Sequence, residues 1–229
     1  LKLSKLRVIE LLLVTTVPSM VISIYGMPPL SLVIYTLAGG TLLAISANVM
    51  NQVLEVETDK LMERTSDRPI VTGELTKTNG IIYSISSGLI GFLILYSLVT
   101  PLSSFIGLAA NIFYVFIYTL ILKPRTNQNI VIGGASGAAP VLIGWTATGS
   151  ELETGPWVLF LLVFMWTPAH FWALSIENKA DYKNAEFPML PIQESYKRTC
   201  IFIGIYSCST VLISLVAAPI LQLGIIYLF

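Results

Sequence analysis

Long apolar runs separated by short polar connections make up most of this chain. No Asp, Glu, Lys or Arg occurs from Asn79 to Leu122, from Thr126 to Ser150, from Thr154 to Ile176 or from Thr199 to Phe229. The runs are continuously apolar rather than alternating, which predicts helices and not the strands of a closed barrel. A bilayer core takes about 20 apolar residues per helical span. On that measure the sequence predicts seven spans, at 7–25, 29–50, 79–99, 101–122, 129–148, 155–176 and 199–220. The expected fold class is all-α, a polytopic transmembrane helical bundle forming one domain over residues 1–229.

Composition excludes the soluble alternative. Hydrophobic residues are 55% of the chain and charged residues 11%, against roughly 25% charged in soluble domains. So little polar surface could not cover so many buried helices. Charge then orients the bundle. All 13 Lys and Arg fall on one side of the layout: Lys2, Lys5 and Arg7 before the first span, and the rest in the connections after the second, fourth and sixth. Cations are retained in the cytoplasm, so the N-terminus and these three connections are expected there, with the chain in the cell membrane. The first apolar stretch leads into a second span, so it reads as a span rather than a signal peptide. The net charge of zero gives no ground for a nucleic-acid partner; the surroundings are the lipid bilayer. Cys200 and Cys208, in the last span, read as small buried packing residues rather than a disulfide or metal pair.

The polar residues gather in two of the cytoplasmic connections, Asn48–Asn79 and Glu177–Arg198. Each follows an even-numbered span, which hints at a duplicated four-helix unit. In the first, Asn51, Glu55 and Asp59 are spaced four apart, so a helix stacks them on one face. Oxygen ligands at the end of a span suit Mg²⁺, which bridges carboxylates to substrate phosphates. The alternative is a solvated helix face, and against it stands the expense of ionisable groups next to a membrane span. Arg64, expected on the same helix beyond Asp59, then Arg68, Lys123 and Arg125 would complete a clamp for a diphosphate; the alternative for each is a membrane-edge anchor, weakest for Arg64. In the second connection, Asp181 with Tyr182 offers a further metal-binding carboxylate or a structural salt bridge to Lys179 or Lys183. His170, the only histidine, lies among aromatics near the cytoplasmic end of its span, two residues after Pro168, which would kink the helix. It reads either as a packing histidine or as a contact to a bound heme.

The residues around these positions resemble the UbiA-type intramembrane prenyltransferases, and within them the heme O synthases. Asn51-Gln-Val-Leu-Glu55-Val-Glu-Thr-Asp59 is similar to the family's Asn-x3-Asp-x3-Asp motif. Met62-Glu63-Arg64-Thr65 with Asp67-Arg68-Pro69 is similar to the run that follows it. Closer to the heme branch are Lys123-Pro124-Arg125-Thr126, Gln128–Gly134, Gly144-Trp145, Trp166–Leu174, Asp181-Tyr182 and Pro188–Pro191. Together these cover most of residues 48–191. Two departures stand out. Glu55 replaces an aspartate, and seven spans are found where the family usually has nine, so either C-terminal spans are missing or this member is short.

The resemblance implies a farnesyl transfer from farnesyl diphosphate to a vinyl group of heme b, with Mg²⁺ as cofactor. Asn51, Glu55, Asp59 and Asp181 would hold the metal. Arg64, Lys123 and Arg125 would stabilise the departing diphosphate. His170, Trp172, Arg68, Lys179 and Tyr182 would contact the substrates, and the product would pass to a heme A synthase or a terminal oxidase assembly. Other readings are prenyl transfer to a quinone precursor or lipid, a transporter with a carboxylate ion site, and a non-catalytic heme-handling protein.

Overall fold

The structure, a computed structural model, describes residues 6–224 and 227, with side chains from Val14 onward. Lys2, Lys5 and the Arg7 side chain lie outside the described residues. The helices are α1 (Leu6–Ser23), α2 (Leu30–Leu54), the short α3 (Val56–Asp59), α4 (Lys77–Leu98), α5 (Pro101–Ile112), α6 (Asn129–Ala147), α7 (Thr154–Glu177), the short α8 (Lys179–Asn184) and α9 (Leu190–Gln193), and α10 (Tyr196–Ile220). There is no strand among the described residues. Among the described residues six helices are long and apolar enough to cross a membrane, α5 being counted with its continuation to Leu122. The 18-residue α1 takes the place of the first expected span. The chain is therefore the polytopic helical bundle that the apolar runs predict.

Local chemistry sets the helix starts. The Thr76 hydroxyl accepts from the Asn79 amide at α4, and the Ser195 hydroxyl from the Arg198 amide at α10. Thr100 does the same for Ser103 at α5, followed by Pro101, whose missing N–H is no loss in a first turn. In lipid these otherwise unpaired amides would be expensive. The polar connections after α2, after Leu122 and after α7 share one end of the bundle, as the Lys123–Glu55 and Asp181–Glu63 contacts show. The apolar connections share the other end, where Ser23 bonds Thr148 and Thr100 bonds the Thr146 carbonyl.

The helices pack through small residues. α2 lies along α4, where a Cβ on Gly91 would stand 2.7 Å from the Gly39 carbonyl oxygen. In the same interface the Ser84 hydroxyl donates to the Ser46 carbonyl at 2.8 Å. Lipid offers no hydrophobic drive between helices, so close backbone approach and interhelical hydrogen bonds must supply the association. The large apolar side chains turn outward instead: Ile85 is 60% exposed and Leu212 62%, which is the surface hydrocarbon requires. Cys200 and Cys208 are also exposed and unpaired with each other. That corrects the expectation of buried packing residues, because α10 presents most of its length to the outside.

Two departures from regular helix shape one end. α5 widens into a π-helix from Phe113 to Leu122, a rare form that tends to mark functional sites. The Lys123 amide bonds the Tyr118 carbonyl at 2.9 Å, so residues five apart, rather than four, come into line. Helix α2 breaks at Glu55, where φ is −99° and ψ 15°. The helix ends altogether at Asp59; Arg64 therefore sits not on a continuing helix, as its spacing suggested, but in a 3₁₀ turn, Glu63–Thr65.

Replacing Gly91 by Val should lower stability by about 1–3 kcal/mol through overpacking against the α2 backbone. Thermal unfolding in detergent checks this; an unchanged midpoint would mean that α2 and α4 do not meet this closely.

Candidate active site

The helix break at Glu55 does not scatter the Asn51, Glu55 and Asp59 side chains. The Glu55 amide still bonds the Asn51 carbonyl at 2.9 Å and the Asp59 amide the Glu55 carbonyl at 2.8 Å. The four-residue stacking survives across the break, and all three residues are buried.

Each side chain is then held separately. Asn51 Nδ2 donates to Thr119 Oγ1 at 3.1 Å, and that hydroxyl donates to the Tyr114 carbonyl at 2.9 Å. The relay fixes the amide, so its carbonyl oxygen is turned away from Thr119. Lys123 Nζ reaches both oxygens of Glu55, at 2.7 and 2.6 Å, while lying 4.4 Å from the centre of the Phe187 ring. Arg68 Nη1 bonds Asp59 Oδ2. The other Asp59 oxygen, Oδ1, is buried and has no hydrogen-bond partner. Burial pushes the Asp59 carboxyl above its usual range, with Arg68 opposing and the charge of Glu55 adding to the rise. Paired through one oxygen only, this buried carboxylate has an oxygen left that could accept an added cation.

Asp181 plays a different part. Its two oxygens accept from the backbone amides of Glu63 and Arg64, each at 3.1 Å. It caps the 3₁₀ turn from a distant segment, rather than pairing with Lys179 or Lys183. The turn carries Arg64, whose Nη2 lies 3.5 Å from the Tyr182 hydroxyl. Burial pushes the Tyr182 phenol up, with Arg64 opposing.

These groups stand at one end of a cavity of about 1020 Å³. Asn51, Asp59, Arg64, Arg68, Lys123 and Tyr182 line the polar end, and His170 lines the wall from α7. His170 stacks on Trp166, ring centres 4.4 Å apart. The rest of the wall is largely apolar and comes from α6, α7 and α10.

Five expected site residues are not on the cavity. Glu55 sits behind Lys123, and Asp181 holds the turn. Arg125 and Lys179 are exposed on their connections. Trp172 is 1% exposed, buried among Tyr182, Phe187 and Met189 and edge-on to Phe202 and Tyr206. One residue on from Phe171, which lines the cavity, its side chain is turned about 100° round α7 and packs into the buried cluster instead. Among the described residues no three His, Cys, Asp or Glu side chains converge on one point; the oxygen ligands facing the cavity are Asn51 and Asp59. Sequence reasoning missed Asn48, Tyr114, Tyr118 and Thr119. The two tyrosines are four apart on an uncharged span, and only the π-helix shows that they, Thr119 and Lys123 share a side. Their neighbour Gly133 has to be glycine, since a Cβ there would come within 2.3 Å of the Tyr118 ring.

The sequence matches the UbiA prenyltransferase family across residues 12–229. The chain belongs to that family. It is 45% identical over 219 residues to protoheme IX farnesyltransferase 1 of Saccharopolyspora erythraea, covering 96% of this chain and 70% of that one. To the protoheme IX farnesyltransferase of Cutibacterium acnes it is 46% identical over 225 residues, 98% of this chain and 67% of that one. The chain thus spans about 70% of the length of the former relative. The fold is that of a UbiA homologue from Aeropyrum pernix, with a TM-score of 0.81 at 17% identity over 96% of this chain and 82% of that one. It is also that of a UbiA homologue from Archaeoglobus fulgidus bound to GPP and Mg²⁺, with a TM-score of 0.76 at 17% identity, covering 96% and 78%. Membership of this family sets aside the transporter and heme-carrier readings: the chain is a prenyltransferase.

Lys123→Ala would leave the Glu55 carboxylate buried and unpaired, with an expected loss of about 3–5 kcal/mol. Pairing Lys123→Met with Glu55→Gln should recover most of it; unfolding midpoints of the two variants in detergent decide the matter. Asp181→Ala should raise amide exchange at Glu63 and Arg64 about tenfold, the equivalent of about 1.4 kcal/mol. Unchanged exchange would mean that the turn holds itself.

Proposed function

We propose that this chain transfers the farnesyl group of farnesyl diphosphate to a vinyl group of heme b, giving a hydroxyethylfarnesyl heme. The observation that carries the reading is one cavity with three cations, Asn51 and the Asp59 carboxylate at one end and a largely apolar wall that bears His170. Its volume of about 1020 Å³ is at the top of the roughly 300–1,000 Å³ that single ligands occupy, which suits two large substrates. The names of the relatives in Saccharopolyspora and Cutibacterium support heme as the acceptor.

Asn51 and Asp59, with Glu55 once Lys123 turns to the substrate, would hold Mg²⁺. The unpartnered Asp59 Oδ1 and the all-oxygen set fit a hard cation. When bound, the ion supplies positive charge against the diphosphate. Arg68 and Lys123, resting on the carboxylates, turn to the diphosphate oxygens, and Arg64 closes over them from the turn that Asp181 caps. Their charge stabilises the leaving group as the allylic C–O bond breaks and the electron pair departs with oxygen. The apolar wall keeps water from the allyl cation. The heme vinyl π pair then bonds to the farnesyl carbon, and one water adds to the resulting heme-side cation and releases a proton. His170 and Trp166 face the heme. The loops carrying these cations lie in the cytoplasm, where positive charge is retained, and the membrane is the cell membrane. The product would pass to a heme A synthase or a terminal oxidase assembly.

The test is mass spectrometry of heme after incubation with heme b, farnesyl diphosphate and Mg²⁺. The unsubstituted chain should yield a heme heavier by one farnesyl group and one hydroxyl group, a product that is lost when Mg²⁺ is chelated. Asp59→Asn should slow formation at least about a hundredfold. Unmodified heme with the unsubstituted chain would refute heme as acceptor.

A further inference from the structure

A hydroxyl has one proton to give, and the direction in which Thr119 gives it decides what Asn51 can present to the cavity. In the regular helices a threonine hydroxyl bonds the carbonyl four residues back, as Thr146 does to Leu142, Thr167 to Val163 and Thr210 to Tyr206, each at 2.8 Å. Thr119 lies in the π-helix and bonds the carbonyl five residues back, that of Tyr114, at 2.9 Å. A carbonyl only accepts, so the proton lies on that side and the lone pairs remain for α2. There Asn51 Nδ2 stands 3.1 Å from the hydroxyl. A hydroxyl left with lone pairs alone is met by the NH₂ end of an amide and not by its oxygen. Thr119 is 4% exposed and Asn51 2%, so bulk water does not take the place of either partner.

Asn51 also lines the cavity. With Nδ2 engaged by Thr119, the end of the amide left for a ligand is Oδ1, an acceptor. The reverse orientation would turn two N–H donors toward the same place, and donors repel a cation. We infer that Thr119 is a positioning residue for the cation site: anchored on the Tyr114 carbonyl, it fixes the Asn51 amide with its oxygen free for the ion. The π-helix is what brings this hydroxyl opposite Asn51. The inference rests on the reading of Asn51 and Asp59 as metal ligands above, and not on the identity of either organic substrate.

The test is binding of Mn²⁺, in place of Mg²⁺, to the full chain in nanodiscs preloaded with farnesyl thiolodiphosphate, read from the loss of the free-ion electron paramagnetic resonance signal. Thr119→Val, equal in shape but unable to accept, should weaken binding about tenfold or more, the usual effect of losing a group that orients a ligand. Thr119→Ser keeps the hydroxyl and loses the methyl, and should stay within about threefold of the unsubstituted chain. A carboxylate presents oxygen whichever way it turns. In an Asn51→Asp background Thr119→Val should therefore change binding by less than about threefold, a non-additivity that packing alone would not produce. Thr119→Ala, equally unable to accept, gives the same comparison if valine prevents folding. Equal losses in the two backgrounds would make Thr119 a packing residue, and undiminished binding in Thr119→Val would mean that the amide orients itself; either result overturns the inference. Failure of the unsubstituted chain to bind Mn²⁺ would overturn the metal reading and the inference with it.

Discussion

Glu55 and Asp59 are 7% and 0% exposed, and a carboxylate taken that far from water must be met by a cation or give up its charge. That requirement organises one end of the bundle. Lys123 comes to Glu55 from the far side of the π-helix, and Arg68 comes to Asp59 from the turn that follows α3. The turn in turn needs its own amides satisfied, and Asp181, from the connection after α7, supplies the acceptors. Three polar connections far apart in sequence are bound to each other by the demand that buried charge and backbone be paired.

In the function proposed above, this arrangement would be a resting state that substrate exchanges into. Each carboxylate is occupied by a protein cation, and each cation lines the cavity. A diphosphate would bring negative charge that competes for Arg68 and Lys123, and a divalent cation would compete for the carboxylates. Both exchanges conserve the number of paired charges, so little of the desolvation penalty is incurred again at the moment of binding. Asp59 Oδ1, already lacking a partner, favours the exchange in that direction.

The space for substrate has a separate origin. Helices that meet through glycine, alanine and serine approach closely along part of their length, as at Gly91 and Gly39. The same small residues leave volume wherever the partner helix diverges, as at Gly40 and Gly137. The π-helix adds to this by rotating Tyr114, Tyr118 and Lys123 onto the side that faces α2 and α6. A regular α-helix would carry Lys123 round by a further fraction of a turn for each wide turn removed.

The sequence by itself determined the all-helical membrane architecture, because uncharged runs of about 20 residues have no other stable arrangement in hydrocarbon. It also determined the Asn51, Glu55 and Asp59 stack, because i to i+4 spacing is a local property and survives even a broken helix. Trp172 and Arg125 were legible only as members of a pattern, and nothing local says which side of α7 or of a loop meets the cavity. The break at Glu55, the capping of the Arg64 turn by Asp181 and the pairing of Lys123 with Glu55 were decided by tertiary structure. Each depends on which segments come together at one end, and in an apolar medium that choice is made by shape and by the pairing of buried charge rather than by local preference.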